Sequence, residues 1–126
     1  RESQSMKYEK GISTRFEDTP VWKDAVDLAV IIYSITKKFP SDEIYAMTSQ
    51  MRRSATSVSA NIAEGYGRVT KKDKVHFYTM SYGSLMELKS FLYLSQKLEF
   101  IKDISEPVKL IEHIQDQINA IRNSLK

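Results

Sequence analysis

The chain has 126 residues, enough for one domain with its own core, since about two-thirds of an unfolded chain's surface can be buried at this size. It has no cysteine, which excludes a disulfide framework, a thiolate zinc site and a cysteine nucleophile, and its four Gly and three Pro are too few for the turns of a small all-β domain. Hydrophobic residues at 41% and charged residues at 28% are ordinary for a globular protein, and a net charge of +3 says little about partners by itself.

Residues 1–15 are polar and unpatterned and are expected to form a flexible tail, with Met6 as the native start and residues 1–5 as a cloning remnant. The domain is expected to span 16–126. The first helix is announced by Thr19 as cap and Pro20 at the first helical position. Trp22, Ala25, Ala29, Ile32, Thr36 and Phe39 recur at helical spacing, a second stripe of Val21, Leu28, Ile31 and Ile35 widens that face, and Pro40 ends it. So wide an apolar face predicts that this helix contacts more than its own bundle. Ser41-Asp42 restarts the chain, and Ile44, Met47, Met51, Ala55, Val58 and Ile62 give the second helix its stripe. That helix is rich in small residues (Ser49, Ser54, Ala55, Ser57, Ser59, Ala60, Ala63), which let another helix come close, and Gly65 and Gly67 are expected to stop it.

Thr70 is the expected cap of a third helix running to about Leu98. Its main stripe is Tyr78, Ser81, Leu85, Leu88, Leu92 and Ser95, with Phe77, Ser84, Phe91 and Leu98 beside it. Gly83 either allows a close crossing or is simply tolerated. Ser105 is the expected cap of the fourth helix, with Pro107 in its first turn and Ile111, Ile114, Ile118, Ile121 and Leu125 as its repeat. No strand-like alternation appears. The fold class is all-α: an antiparallel up-and-down four-helix bundle.

Little in the chain points to catalysis. A dimetal bundle site needs two Glu-x-x-His units, and only Asp73-Lys74-Val75-His76 has comparable spacing; His76 and His113 are expected at the surface and no metal is expected. No turn resembles a nucleophile elbow, and Gly65-Tyr66-Gly67 lacks the strand and the Lys-Ser/Thr of a phosphate loop. An enzyme is not expected, nor a cofactor. With a longest apolar run of five residues, Leu28 to Ile32, against the roughly 20 that span a bilayer, no membrane partner is expected and a cytoplasmic location is the default.

Charge is more informative. Residues 52–74 hold Arg52, Arg53, Arg68, Lys71, Lys72 and Lys74 against Glu64 and Asp73, a net +4 that leaves −1 for the rest. This pattern is a footprint for phosphate backbone contacts, with Tyr66 and Tyr78 as stacking faces. A solvated basic face with local pairs, such as Arg68 with Glu64 at i, i+4, is the plainer reading, and charge alone favours it. The run Asn61-Ile62-Ala63-Glu64-Gly65-Tyr66-Gly67-Arg68 is unusual for a helix end. Asn61 and Glu64 either tie it to another helix or subunit or contact a ligand, and the structural role is favoured.

Phe16-Glu17-Asp18-Thr19-Pro20-Val21-Trp22, Thr48-Ser49-Gln50-Met51-Arg52-Arg53-Ser54-Ala55 and the Asn61–Arg68 run resemble the signature stretches of the four-helix bundle family named for the 23S rRNA intervening-sequence protein. Phe77-Tyr78 and Gly83-Ser84-Leu85-Met86-Glu87-Leu88 fit its third segment, and Ser59 departs from the proline of many members. The resemblance covers about residues 16–122. It implies a homopentamer, a likeness to the basic, pentameric accessory variability protein of diversity-generating retroelements, and a family role not yet established. Arg52, Arg53 and Arg68 fall on the family's arginines, and five copies would carry +15. The expectation is a non-enzymatic homo-oligomer binding RNA or DNA through Arg52, Arg53, Arg68, Lys71, Lys72 and Lys74, with Asn61, Glu64, Gly65 and Tyr66 as a structural motif. A scaffold that docks a partner enzyme is the alternative.

Overall fold

The computed structural model describes residues 15–126; residues 1–14, and with them the expected tail and the Met6 start, lie outside the described residues. A short 3-10 turn, Phe16–Asp18, leads into α1 (Pro20–Thr36), and a second, Ser41–Glu43, precedes α2 (Met47–Gly67). Then come α3 (Lys71–Lys97) and α4 (Ser105–Ser124), with no strand among the described residues. Each helix packs on its neighbours in sequence and α1 also packs on α4, so the four enclose one core. Val21, Ala25, Leu28 and Ile32 meet Met51, Ala55, Val58 and Ile62 there, with Leu85, Leu88, Leu92, Ile111, Ile114 and Ile118 completing it.

The helix ends follow local chemistry that differs in places from the expected caps. Thr19 is the residue before α1 and Pro20 opens it, but the Thr19 hydroxyl donates backward to the Phe16 carbonyl at 2.6 Å. The Thr36 hydroxyl donates to the Ile32 carbonyl at 2.7 Å, and α1 ends there, four residues before Pro40. The second helix does not start at Ser41-Asp42. That pair forms only a 3-10 turn, Ile44 is half exposed rather than part of the core stripe, and the Glu43 carboxylate accepts from the Met47 N–H at 3.4 Å. Thr70 caps α3 as expected, accepting from the Asp73 N–H at 3.1 Å. At α4 the cap comes from Asp103, whose carboxylate accepts from the Ser105 N–H at 2.9 Å, and not from Ser105 itself.

The tightest packing lies between α2 and α3. Met51 meets Ser95, Ser54 meets Glu87, the Ser81 hydroxyl donates to the Val58 carbonyl at 2.9 Å, and Gly65 lies under Phe77. Rising numbers on one helix thus meet falling numbers on the other. Of the small residues of the second helix, Ser54 lies at this seam and Ala55 in the core, while Ser49 and Ala60 are exposed, and Gly65 does not stop the helix. The helix runs on through Gly67, and a Cβ at Gly65 would stand 3.1 Å from the Phe77 Cβ and 3.4 Å from the Lys74 carbonyl oxygen. Gly83, by contrast, faces open space and is a tolerated helix glycine.

These two glycines separate helix propensity from packing. Alanine gains about 1 kcal/mol over glycine inside a helix. Gly83→Ala is therefore expected to raise the unfolding free energy by about 0.5–1 kcal/mol. At Gly65 the added methyl meets a backbone-proximal Cβ and a carbonyl that cannot swing aside, an overpacking cost of roughly 1–3 kcal/mol. Gly65→Ala is expected to lower stability by about 1 kcal/mol despite its better propensity. Urea unfolding of both variants beside the wild type checks the opposite signs.

Candidate nucleic-acid interface

The six cations singled out by the sequence do not converge. Arg52 and Arg53 sit in the second turn of α2 and Arg68 follows its last residue, so the two groups lie about 22 Å apart along the helix axis. The first group is engaged in holding helices together. The Arg52 guanidinium donates from Nε to the Thr36 hydroxyl at 2.9 Å, reaches the Tyr33 carbonyl at 3.5 Å, and lies 4.5 Å from the Tyr33 ring centroid. It ties α2 to the end of α1. Arg53 pairs with the Glu87 carboxylate of α3 at 2.9 Å and also donates to the Gln50 side chain.

Glu87 is the polar centre of the α2–α3 seam, and it went unassigned in the sequence because its partners lie more than thirty residues away. Its Oε1 accepts from the Ser54 hydroxyl at 2.7 Å as well as from Arg53. The Ser54 hydrogen bond is the main cause that holds its carboxyl below the ordinary value of 4.5; burial opposes it, and the hydrogen bond and charge of Arg53 add to the lowering.

The second group forms the α2–α3 turn. Lys74, in the first turn of α3, donates from Nζ to the Tyr66 carbonyl at 2.7 Å and to that of Gly65 at 3.4 Å. It thereby caps the C-terminus of α2, where a cation also complements the helix dipole. Arg68 pairs with Glu64 at 3.2 Å, the i, i+4 contact expected of a solvated face, and its guanidinium lies 4.5 Å from the Phe77 ring centroid. Lys71 and Lys72 are exposed and form no ion pair among the described residues. Asn61 is half-buried, and its amide donates within its own helix to the Ser57 carbonyl at 2.9 Å. Glu64 is exposed rather than buried.

His76 and His113 are exposed, with His113 3.4 Å from Asp24. Among the described residues no three of His, Asp or Glu converge as metal ligands, and no helix is long and apolar enough to cross a membrane.

The family model of 23S rRNA-intervening sequence proteins matches residues 17–122. The chain belongs to that family. A crystal structure of a protein of unknown function from the S23 ribosomal protein family of Bacteroides thetaiotaomicron is similar in fold, with a TM-score of 0.59 at 23% identity over 83% of this chain and 94% of that one. No curated protein matches the chain. In this member of the intervening-sequence family, then, Arg52 and Arg53 tie helices together, and of the six cations Lys71 and Lys72 are the two without an ion pair or side-chain hydrogen bond among the described residues.

The Glu87 contacts carry a pH signature. A carboxyl held low in the folded protein contributes stability above its unfolded pKa, and that contribution is lost as pH falls through its folded value. Glu87→Gln is expected to be less stable than wild type at neutral pH by about 1 kcal/mol or less, because the Arg53 side of the cluster is solvated. The difference should close on acidification through the range below 4.5. Paired denaturation curves at neutral and acid pH measure it.

Proposed function

We propose that the protein is a non-enzymatic, self-assembling, antiparallel up-and-down four-helix bundle that contacts nucleic-acid backbone with the α2–α3 end. The observation that carries the binding half is the clustering of Arg68, Lys71 and Lys72 within five residues at the α2–α3 turn, all exposed, with no ion pair to either lysine among the described residues. The Arg68–Glu64 pair is solvent-exposed and worth little, so a phosphate can replace the carboxylate at small cost. Arg52 and Arg53 are left out of the proposed contact set because each bridges to another helix, Arg52 to Thr36 and Arg53 to Glu87, whereas the ion pair of Arg68 is a local i, i+4 one.

The assembly half rests on apolar surface that the single chain leaves uncovered. Val30 is 63% exposed on α1, and Met80, Leu94 and Leu98 are 45%, 46% and 48% exposed along the outer side of α3. Faces of this kind mark protein contacts. A homopentamer, as the family resemblance implies, would cover them and repeat the Arg68–Lys72 cluster five times around one rim. The proposed likeness to the accessory variability protein of diversity-generating retroelements belongs to the same reading. Docking of a partner enzyme is the second reading, and the same exposed apolar residues favour it.

Anisotropy of labelled structured RNA and duplex DNA, titrated at low and physiological salt with oligomer mass measured on the same samples, tests the proposal. Binding is expected to weaken steeply with salt, with each phosphate contact adding roughly 0.7–0.9 to the log–log slope. Arg68→Ala/Lys71→Ala/Lys72→Ala should flatten that slope, while Arg52→Ala/Arg53→Ala should lower stability and leave the slope unchanged. No binding, or binding indifferent to salt, by a well-formed oligomer overturns the nucleic-acid reading in favour of the scaffold.

A further inference from the structure

At the end of α2 away from the basic turn, where α1 stops and the chain doubles back, lies a cleft of about 380 Å³. Part of its lining is apolar: Phe39, Pro40 and Ile44. Phe39 is buried and meets Phe100, with 5.4 Å between ring centroids, so this part is anchored in the core. Ile44 is half exposed because residues 44–46 form a turn instead of extending α2, which leaves its side chain at the cleft. The rest of the lining is polar and cationic, with Lys37, Ser41, Thr48 and Arg52. Arg52 is the fixed point. Its Nε donates to the Thr36 hydroxyl, its Nη2 reaches the Tyr33 carbonyl, and the guanidinium carbon lies 4.5 Å from the Tyr33 ring centroid. These contacts set the guanidinium plane without using Nη1, which donates to no group among the described residues. Thr48 is only 5% exposed, and its hydroxyl forms no hydrogen bond among the described residues. Lys37 is exposed and forms no ion pair there either. The neighbouring acids Asp42 and Glu43 do not line the cleft, and the Glu43 carboxylate accepts from the Met47 N–H.

We propose that this cleft binds a small organic acid, one carboxylate joined to a short apolar or aromatic body. The carboxylate accepts from Arg52 Nη1 and the Lys37 ammonium, with the Ser41 and Thr48 hydroxyls as further donors, and the body covers Ile44, Pro40 and the edge of Phe39. The size falls in the range of small-molecule sites, and so does the pairing of apolar lining with a few placed polar groups. Charge-assisted bonds to a carboxylate are the stronger kind, and a guanidinium already held in place loses little freedom in making them. Both halves of the ligand are required. An inorganic anion leaves Ile44 and Pro40 in water, whereas a neutral apolar molecule covers a guanidinium and a hydroxyl without pairing them, which is costly. Arg52 keeps its ties to α1 when the acid is bound. It also lies about 22 Å along α2 from the proposed phosphate contacts, so this site and the nucleic-acid reading stand or fall separately.

Phenylbutyrate and its neutral amide, phenylbutyramide, are matched probes that share a body and differ in charge. Titrated into the isotope-labelled full chain and followed by backbone amide NMR shifts, phenylbutyrate is expected to give saturable changes centred on residues 36–52. The amide should bind about tenfold or more weakly. Lys37→Gln should weaken the acid by about threefold. Lys23→Gln removes the same charge from an exposed site near the start of α1 and should leave affinity unchanged. Arg52→Lys keeps the charge and loses the planar donor set, so it should cost about tenfold. Should that variant lose its fold, the Lys37→Gln and Lys23→Gln pair and the amide still decide the question. Acetyl-Gly-Gly-Phe presents the same ring and carboxylate at a chain end and is expected to bind no more tightly; tighter binding overturns a free acid as the ligand. The proposal is also overturned by shifts that do not saturate or that centre elsewhere, by equal affinity for acid and amide, or by equal losses in the two lysine variants.

Discussion

The close approach of α2 to α3 governs the rest of the molecule. A serine hydroxyl can reach the backbone carbonyl of a neighbouring helix only when both surfaces are small, and Ser81 does so at Val58. The same condition lets Phe77 lie over Gly65 and lets Ser54 reach Glu87. With small residues along the seam, the large side chains Leu85, Leu88 and Leu92 are turned inward, where α1 and α4 close over them. The seam also brings the end of α2 beside the first turn of α3, and that proximity is what allows Lys74 to cap the preceding helix.

A consequence is that half of the conspicuous positive charge, three of the six cations, is spent on architecture. Helix ends and polar seams need donors: the C-terminal carbonyls of α2 take Lys74, the end of α1 takes Arg52, and Glu87 takes Arg53. A residue count that gives residues 52–74 a surplus of positive charge therefore overstates what a phosphate meets. The charge is divided between two places along one long helix, and at each place part of it already faces an internal acceptor. Of the six cations of residues 52–74, Lys71 and Lys72 at the α2–α3 turn are the two that form no ion pair or side-chain hydrogen bond among the described residues.

Periodicity revealed the core almost completely, because inward residues must repeat with the helix turn: the buried stripe of α3 is the one read from its spacing, down to Ser81 and Ser95. Where the reading went astray, the deciding contact was either backbone geometry or distant in sequence. Ile44 continues the stripe on paper, but residues 44–46 form a turn, and Ala46, with φ −122° and ψ −106°, breaks any helix. Gly65 looks like a terminator, yet its meaning depends on Phe77, which only the folded chain brings above it. Arginines at helical positions give no sign of whether a carboxylate such as Glu87 faces them from another helix. The i, i+4 pair of Glu64 and Arg68 was legible because both partners share one helix face.

The breadth of the first helix's apolar face finds its explanation in what the fold leaves over. Val21, Ala25, Leu28 and Ile32 satisfy the core, yet Trp22, Val26 and Ala29 are only half covered and Val30 projects into solvent. Beside them α2 presents a low shelf of Ser59, Ala60 and Ala63. The outer side of α3 offers the opposite relief, with Met80, Leu94 and Leu98 standing out. A two-fold dimer uses one self-complementary patch, which would have to carry both the shelf and the knobs, and these lie on different helices of the bundle. Unlike faces on one chain fit head to tail instead, and head-to-tail contacts that close produce rings. The proposed pentamer is thus the kind of assembly to which this distribution of small and large residues lends itself. It would use the same contrast that holds α2 to α3, small against bulky, a second time between chains.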